Sequence, residues 1–228
     1  MDDDEYDEQD LGEEGDESFF ELYRRQNLVS DLRVPHTVTV IGVGGVGSYA
    51  AIFMALVGAR RIILVDPDIV EESNRNRVLF RYYDVSATKV DAIGAIISAL
   101  RRDVIIDCYA YRIEDVDEEG RKKISTSDVV FDCRDIVDCL PDWVPKCKIT
   151  GGYDGKRVTM HLNPDLSKIW SVGSMTYTET PSYCVPPALI GVLMALYTTS
   201  PSLEVKDEKI VSFNVDKLFN EVIDHDRI

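Results

Sequence analysis

The chain has 228 residues, 45% of them hydrophobic, which is enough for a domain with a substantial core. Its 41 acids against 25 Lys and Arg give a formal charge of −16, and eleven of those acids crowd into residues 1–18 with no base among them. Outside that head the balance is 30 acids to 25 bases, so 1–18 reads as a solvated, disordered tail and 19–228 as the folded domain. The charge argues against a nucleic-acid or anionic-membrane surface, because both need clustered Lys and Arg. No basic-then-apolar leader opens the chain, and no apolar run reaches the roughly 18 residues of a spanning helix. Five cysteines, at 108, 133, 139, 147 and 184, form no CxxC pair. They fit the reduced thiols of a cytoplasmic protein and offer no framework for zinc.

Residues 19–29 have the spacing of a short amphipathic helix. The β-branched run 36–41 ends at a glycine cluster, as a buried strand would, and 48–57 follows as an Ala-rich helix. A second buried strand spans 61–66 and a long functional loop 67–86. Next come a helix over 87–101, a strand over 104–109, a charged helix at about 114–124 and a strand over 128–132. Strand–helix alternation of this kind predicts an α/β fold, a Rossmann-like doubly wound parallel sheet. Short strands at 148–151, 157–162, 169–172 and 209–215 then continue that sheet in antiparallel fashion, with a hydrophobic helix over 187–197 and a closing helix at the end.

The segment GVGGVG at 42–47 fits G-x-G-x-x-G between a strand and a helix. Glycines there let the backbone approach a phosphate, whose charge meets the amides of the helix N-terminus. Asp66 lies 24 residues past Gly42 at the end of the next strand, where a carboxylate can accept hydrogen bonds from ribose. A dinucleotide cofactor, ATP and a glycine turn made only for packing all remain open on this evidence.

Downstream residues separate them. DPDIVEESNRNR at 66–77 is followed by Lys89 at the start of a helix, and Asp135 lies just beyond the fourth strand. A dehydrogenase needs no cationic pair at this place, whereas ATP cleavage builds charge that fixed Arg and Lys stabilise. A carboxylate at the carboxyl edge of the sheet can hold Mg²⁺ against phosphates.

With these residues in view, the chain resembles the ubiquitin-activating-enzyme superfamily in its compact form, the ThiF/MoeB/HesA adenylyltransferases. The shared pattern is the glycine loop (Gly42, Gly44, Gly45, Gly47), then D-x-D-x-V-x-x-S-N-x-x-R from Asp66 through Asp68 and Asn74 to Arg77, then Lys89 and Asp135. Tyr23 to Gln26 is similar to the family's Y-x-R-Q segment, and residues 150–152, 189–192 and 209–211 also resemble family segments. The resemblance implies ATP packed on the glycine loop with Asp66 on its ribose. Asp68, Asn74, Arg77 and Lys89 would complete the nucleotide site, with Mg²⁺ on Asp135. Arg25 would reach into a partner subunit's site, making a homodimer functional. The implied reaction is adenylation of the C-terminal carboxylate of a ubiquitin-like or sulfur-carrier protein ending in Gly-Gly, with release of pyrophosphate.

The chain departs from the family in several places. The family's G-x-x-K reads Ser86-Ala-Thr-Lys89, the Gln after the loop arginine is Val78, and the Asn after the aspartate is Ile136. None of these removes a charge from the ATP site. The zinc-binding CxxC pairs are absent, so no zinc is expected. Cys184 lies where thioester-forming members carry their cysteine, at a shorter spacing to Gly191. Cys133, Cys139 and Cys147 read as core or near-core thiols, and Tyr82, Tyr83, Tyr109 and Tyr111 as packing residues. Other readings are a tRNA-modifying dehydratase, an idle scaffold subunit of a heterodimeric activating enzyme, and an NAD-dependent oxidoreductase. For the last, no hydride-site acid or base is found.

Overall fold

The computed structural model describes residues 21–137, 139–146, 149–164, 170–171 and 181–217. The acidic head, Cys147 and all but the first residues of the closing helix lie outside these. One compact unit ends at Leu32 and a second begins at Arg33. In the first, residues 21–23 are helical and Gln26–Leu28 form a 3-10 turn, after which Val29 is extended. This replaces the continuous helix expected over 19–29. The Asn, Ser and Asp that follow favour turns over helix, and Asp31 adopts a φ of 61°.

The second unit is built on a seven-stranded sheet. Its strands are β1 (Thr37–Ile41), β2 (Arg61–Val65), β3 (Ile105–Tyr109), β4 (Val129–Asp132), β6 (Ile149–Asp154), β7 (Arg157–Leu162) and β9 (Lys209–Asn214). They lie in the order β3-β2-β1-β4-β6-β7-β9. Neighbours are parallel from β3 to β6 and antiparallel from β6 to β9, the expected parallel half with an antiparallel continuation. The helices are α1 (Gly45–Val57), α2 (Lys89–Leu100), α3 (Glu118–Ser125) and α4 (Val185–Thr199). None of the described helices is long and apolar enough to cross a membrane.

Both sheet faces are covered, which is why β1, β2 and β4 are buried at nearly every position rather than at alternate ones. Val38, Val40, Ile62, Leu64, Phe131 and Ile149 join residues of α1, α2 and α4 in one core. Ile41, Ile63, Val65 and Val130 face Ile124 of α3 together with Ile113 and Val116 in the other. The chain thus sends α1 and α2 to one face and α3 to the other. The point where it changes face falls between β1 and β4, and ligands of open α/β sheets bind at the carboxyl ends of such a strand pair.

Several local expectations change. Trp170–Ser171 (β8) pairs with Ile136–Val137 (β5) in a separate two-stranded sheet instead of extending the main one. The charged helix begins only at Glu118, where Asp117 caps it, and Ile113–Asp115 forms a 3-10 turn before it. Tyr82, Tyr83 and Tyr111 are exposed, and only Tyr109 packs against a core. Cys139 is exposed as well, while Cys133 is half-buried.

Close backbone approaches fix α1. Gly42, at φ 88°, sits so near the end of β4 that a Cβ would lie 2.8 Å from the Cys133 carbonyl carbon and oxygen. At Gly47 a Cβ would fall 1.9 Å from the Gly42 carbonyl oxygen. The far end of α1 closes through Gly58, whose amide and that of Ala59 donate to the Ala55 and Met54 carbonyls. Buried Arg101 donates to the Ala55 and Leu56 carbonyls at 3.0 and 3.2 Å and pairs with Asp103. α4 lies against α1 at Gly191, where a Cβ would meet the Tyr49 Cβ at 2.6 Å.

Ser86 stands where the family pattern has glycine, and its φ is 74°. A left-handed non-glycine residue costs about 1–2 kcal/mol, of which glycine's greater chain entropy offsets roughly half. Ser86→Gly is therefore expected to raise the thermal midpoint by about 1–3 °C in differential scanning calorimetry. Gly47→Ala, which must displace backbone, is expected to lower it by several degrees. Gly44→Ala, whose Cβ would meet nothing within 4 Å, is expected to leave it within about a degree.

Candidate functional site

The glycine loop leaves β1 at the sheet's changeover point and delivers the N-terminus of α1 to the carboxyl edge. No side chain caps that terminus, so its first-turn amides are available to an anion. The glycines divide by what surrounds them. Gly42 and Gly47 are required by backbone contacts. Gly45 lies under the Tyr153 hydroxyl, 2.9 Å from where its Cβ would be. Gly44 alone of the four opens onto empty space. A ligand could approach the backbone there.

At Val43 the loop meets a first group of charges. Asp66 is buried, and its two carboxylate oxygens accept the amides of Val43 at 2.6 Å and Asp68 at 2.8 Å. Burial pushes its carboxyl above the usual value, while the Lys89 charge and the two amides pull it back. Each oxygen keeps a lone pair for a further donor such as a ribose hydroxyl. Lys89 is the first residue of α2, set by the Thr88 cap, and its ammonium pairs with exposed Asp68 at 2.7 Å. The Lys89 amide also donates to the Asp68 carbonyl at 2.9 Å, which stitches the start of the crossover loop to α2.

At Gly45 it meets a second group. Arg77 is half-buried and donates to the Ser73 carbonyl at 2.7 Å. Buried Asn74 accepts the Glu71 amide on Oδ1 at 3.1 Å, and its own carbonyl takes the amides of Arg77 and Val78. Its side chain thus shapes the turn that presents Arg77, and the Nδ2 hydrogens remain for a ligand. Arg77 also donates to the Asn76 Oδ1 at 3.3 Å, and the charges of Arg77 and Asp135 both act on the Tyr153 phenol. Asp135 is exposed beyond β4 and makes no ion pair among the described residues. Its neighbour Arg134 instead turns back to fully buried Asp132, at 2.8 Å.

Among the described residues no three His, Cys, Asp or Glu side chains gather as a metal cage. Mg²⁺ on a nucleotide needs none, since it takes one or two carboxylates and fills its shell with phosphate oxygens and water. Asp135, exposed and free of ion pairs, fits that demand. Cys184 is exposed at the N-cap of α4. Arg25 belongs to the unit ending at Leu32, where it is exposed beside the 3-10 turn. Tyr153 and Ser182 belong to the second group but carry no sequence signal. A GGY run in a strand reads as packing, and Ser182 reaches the site only through the fold.

Comparison with known proteins places this edge in context. The ThiF family model matches residues 24–142. Ubiquitin-like modifier-activating enzyme 5 of Bombyx mori is 44% identical over 81 residues, which cover 36% of this chain and 21% of that protein. The Drosophila mojavensis protein of the same name is 34% identical over 124 residues, 49% of this chain and 31% of its own length. The matches to these curated relatives thus extend over a third of their length or less. Among solved structures, E. coli MccB with ATP superposes with a TM-score of 0.56 at 20% identity, covering 79% of this chain and 64% of that one. PaaA does so with a TM-score of 0.59 at 19% identity, covering 94% and 78%. These two likenesses speak for the fold. With more than half of its length matched by the family model, the chain belongs to the ThiF family.

Proposed function

We propose that this domain adenylates a carboxylate with ATP and Mg²⁺, the acceptor being the C-terminus of a ubiquitin-like or sulfur-carrier protein ending in Gly-Gly. The observation that carries the reading is the convergence at one sheet edge of an uncapped glycine-loop helix, Arg77 and Asp135. Relatives named for activating a ubiquitin-like modifier support the acceptor class.

In this reading the open backbone at Gly44 and the first amides of α1 receive phosphate, and Asp66 accepts from the ribose. Lys89, Asn74 and Arg77 donate to phosphate oxygens, and Asp135 would hold Mg²⁺, which supplies charge neutralisation for the leaving pyrophosphate. An acceptor carboxylate oxygen forms a bond to the α-phosphorus while the bond to the bridging oxygen breaks, its electron pair departing on pyrophosphate. The carboxylate is already ionised at neutral pH, so no general base is required. Positioning and charge do the chemistry. Cys184 is the candidate for any later thiol transfer, and Arg25 for completing the site of a second subunit in a cytoplasmic homodimer.

Arg77→Ala and Asp135→Ala are each expected to cut ATP–pyrophosphate exchange by about 10²–10³ while leaving the thermal midpoint unchanged. Full exchange in either well-folded variant removes that residue's role. Arg25→Ala and Asp135→Ala proteins, each inactive alone, are expected to recover about a quarter of wild-type exchange when mixed and allowed to swap subunits, because half the dimers are mixed and each holds one intact site. No recovery in mixed dimers demonstrated by native mass spectrometry rules out the trans arrangement.

A further inference from the structure

Tyr153 lies near the end of β6, paired with Val158 of β7, and its hydroxyl reaches over the first turn of α1. It stands 2.9 Å from where a Gly45 Cβ would be and 2.7 Å from the Ser182 hydroxyl oxygen. The charges of Arg77 and Asp135 both act on it. Asn76 holds the Ser182 carbonyl at 3.2 Å from the crossover loop, so the serine is fixed from two sides.

The hydrogens can be counted. The Tyr153–Ser182 pair owns two hydroxyl hydrogens, and one of them spans the 2.7 Å contact. The second finds no acceptor among the described residues, although it is held beside a cation above an uncapped helix terminus. The phenol itself stays protonated, since burial pushes it above its usual value even against the pull of Ser182 and Arg77.

We propose that the Tyr153–Ser182 hydroxyl pair donates its remaining hydrogen bond, next to Arg77, to an anionic oxygen of the reactants. This rests on the adenylation reading and adds a binding residue pair to it. Two reactants carry such an oxygen, the nucleotide phosphates and the acceptor carboxylate.

The test uses the full chain as wild type, Tyr153→Phe and Ser182→Ala. Phe keeps the ring over Gly45 and removes only the oxygen. Titration calorimetry with a non-hydrolysable ATP analogue and Mg²⁺ reads the phosphate arm. A synthetic peptide ending in Gly-Gly, as free acid and as C-terminal amide, reads the carboxylate arm. Either hydroxyl keeps a hydrogen when the other is removed, so the variant that lacks the donor facing the anion is expected to lose about ten- to hundred-fold in one arm, with the thermal midpoint retained, and the other variant to lose less. A fall in ATP-analogue affinity assigns the pair to phosphate, and a fall in the preference for acid over amide assigns it to the acceptor. Unchanged affinity and preference in folded Tyr153→Phe and in folded Ser182→Ala alike overturns the inference. Failure of the wild type to bind the analogue overturns the adenylation reading, and this inference with it.

Discussion

The near-contact of two carbonyl-bearing strand ends organises this domain. β1 and β4 run parallel and adjacent, yet the chain leaving β1 must rise into α1 while the chain leaving β4 passes Cys133 toward the two-stranded β5–β8 sheet. The two paths cross within 3 Å of the Gly42 Cβ position, and no side chain fits between them. Once Gly42 is accepted there at φ 88°, α1 can start only if its third residue also lacks a Cβ, because Gly47 lies on the Gly42 carbonyl. The loop glycines therefore serve two ends. Gly42 and Gly47 allow the crossing, and the crossing brings Gly44, with a free helix terminus, to the rim of the sheet.

Charge at that rim is arranged in degrees of commitment. Arg134 is committed to Asp132, whose full burial makes separation costly. Lys89 is paired more loosely, because its partner Asp68 is 63% exposed and can be rehydrated when a competing anion arrives. Among the described residues Arg77 has only neutral hydrogen-bond partners, the Ser73 carbonyl and the Asn76 amide oxygen, and so retains its charge for a ligand. Asp135 likewise makes no ion pair among the described residues. The edge thus holds one cation for structure, one that a phosphate can take over, and one that is waiting, alongside a single acid suited to a shared metal. This gradation favours a ligand that brings both several negative charges and a cation of its own.

Legibility in the sequence followed the range of the contacts. The parallel half of the sheet could be read because each strand is a short apolar run bounded by turn residues. Asp66, Arg77 and Lys89 could be read because their spacing from the glycine loop reflects one strand, one turn and one helix start. Ser86 hid a strained backbone behind an ordinary residue. The pairing of β8 with β5 joins segments more than thirty residues apart, and two-residue strands carry too little pattern to choose a partner. Tyr153 and Ser182 were invisible for the same reason. Nothing in either local sequence says that β6 and the approach to α4 converge over α1, and only the packing of Gly151 and Gly191 brings them there.

The approach to α4 also separates two kinds of chemistry. A helix N-terminus ordinarily offers an anion three free first-turn amides. In α4, the second and third helical residues are Pro186 and Pro187, which have no N–H, and the Ala188 amide is used by the Cys184 carbonyl at 3.1 Å. Val185 is then the only first-turn amide that α4 can turn toward the Cys184 sulfur. α1 carries no proline in its first turn, so its amides are intact. The two helix termini lie close together in space and differ in what they can hold. One can receive a multiply charged phosphate, whereas the other places an exposed thiol beside that site with little local support for negative charge. In the proposed reading, adenylation draws on the fold itself. A thiol step at Cys184 would have to draw its activation from the partner that brings the carboxylate.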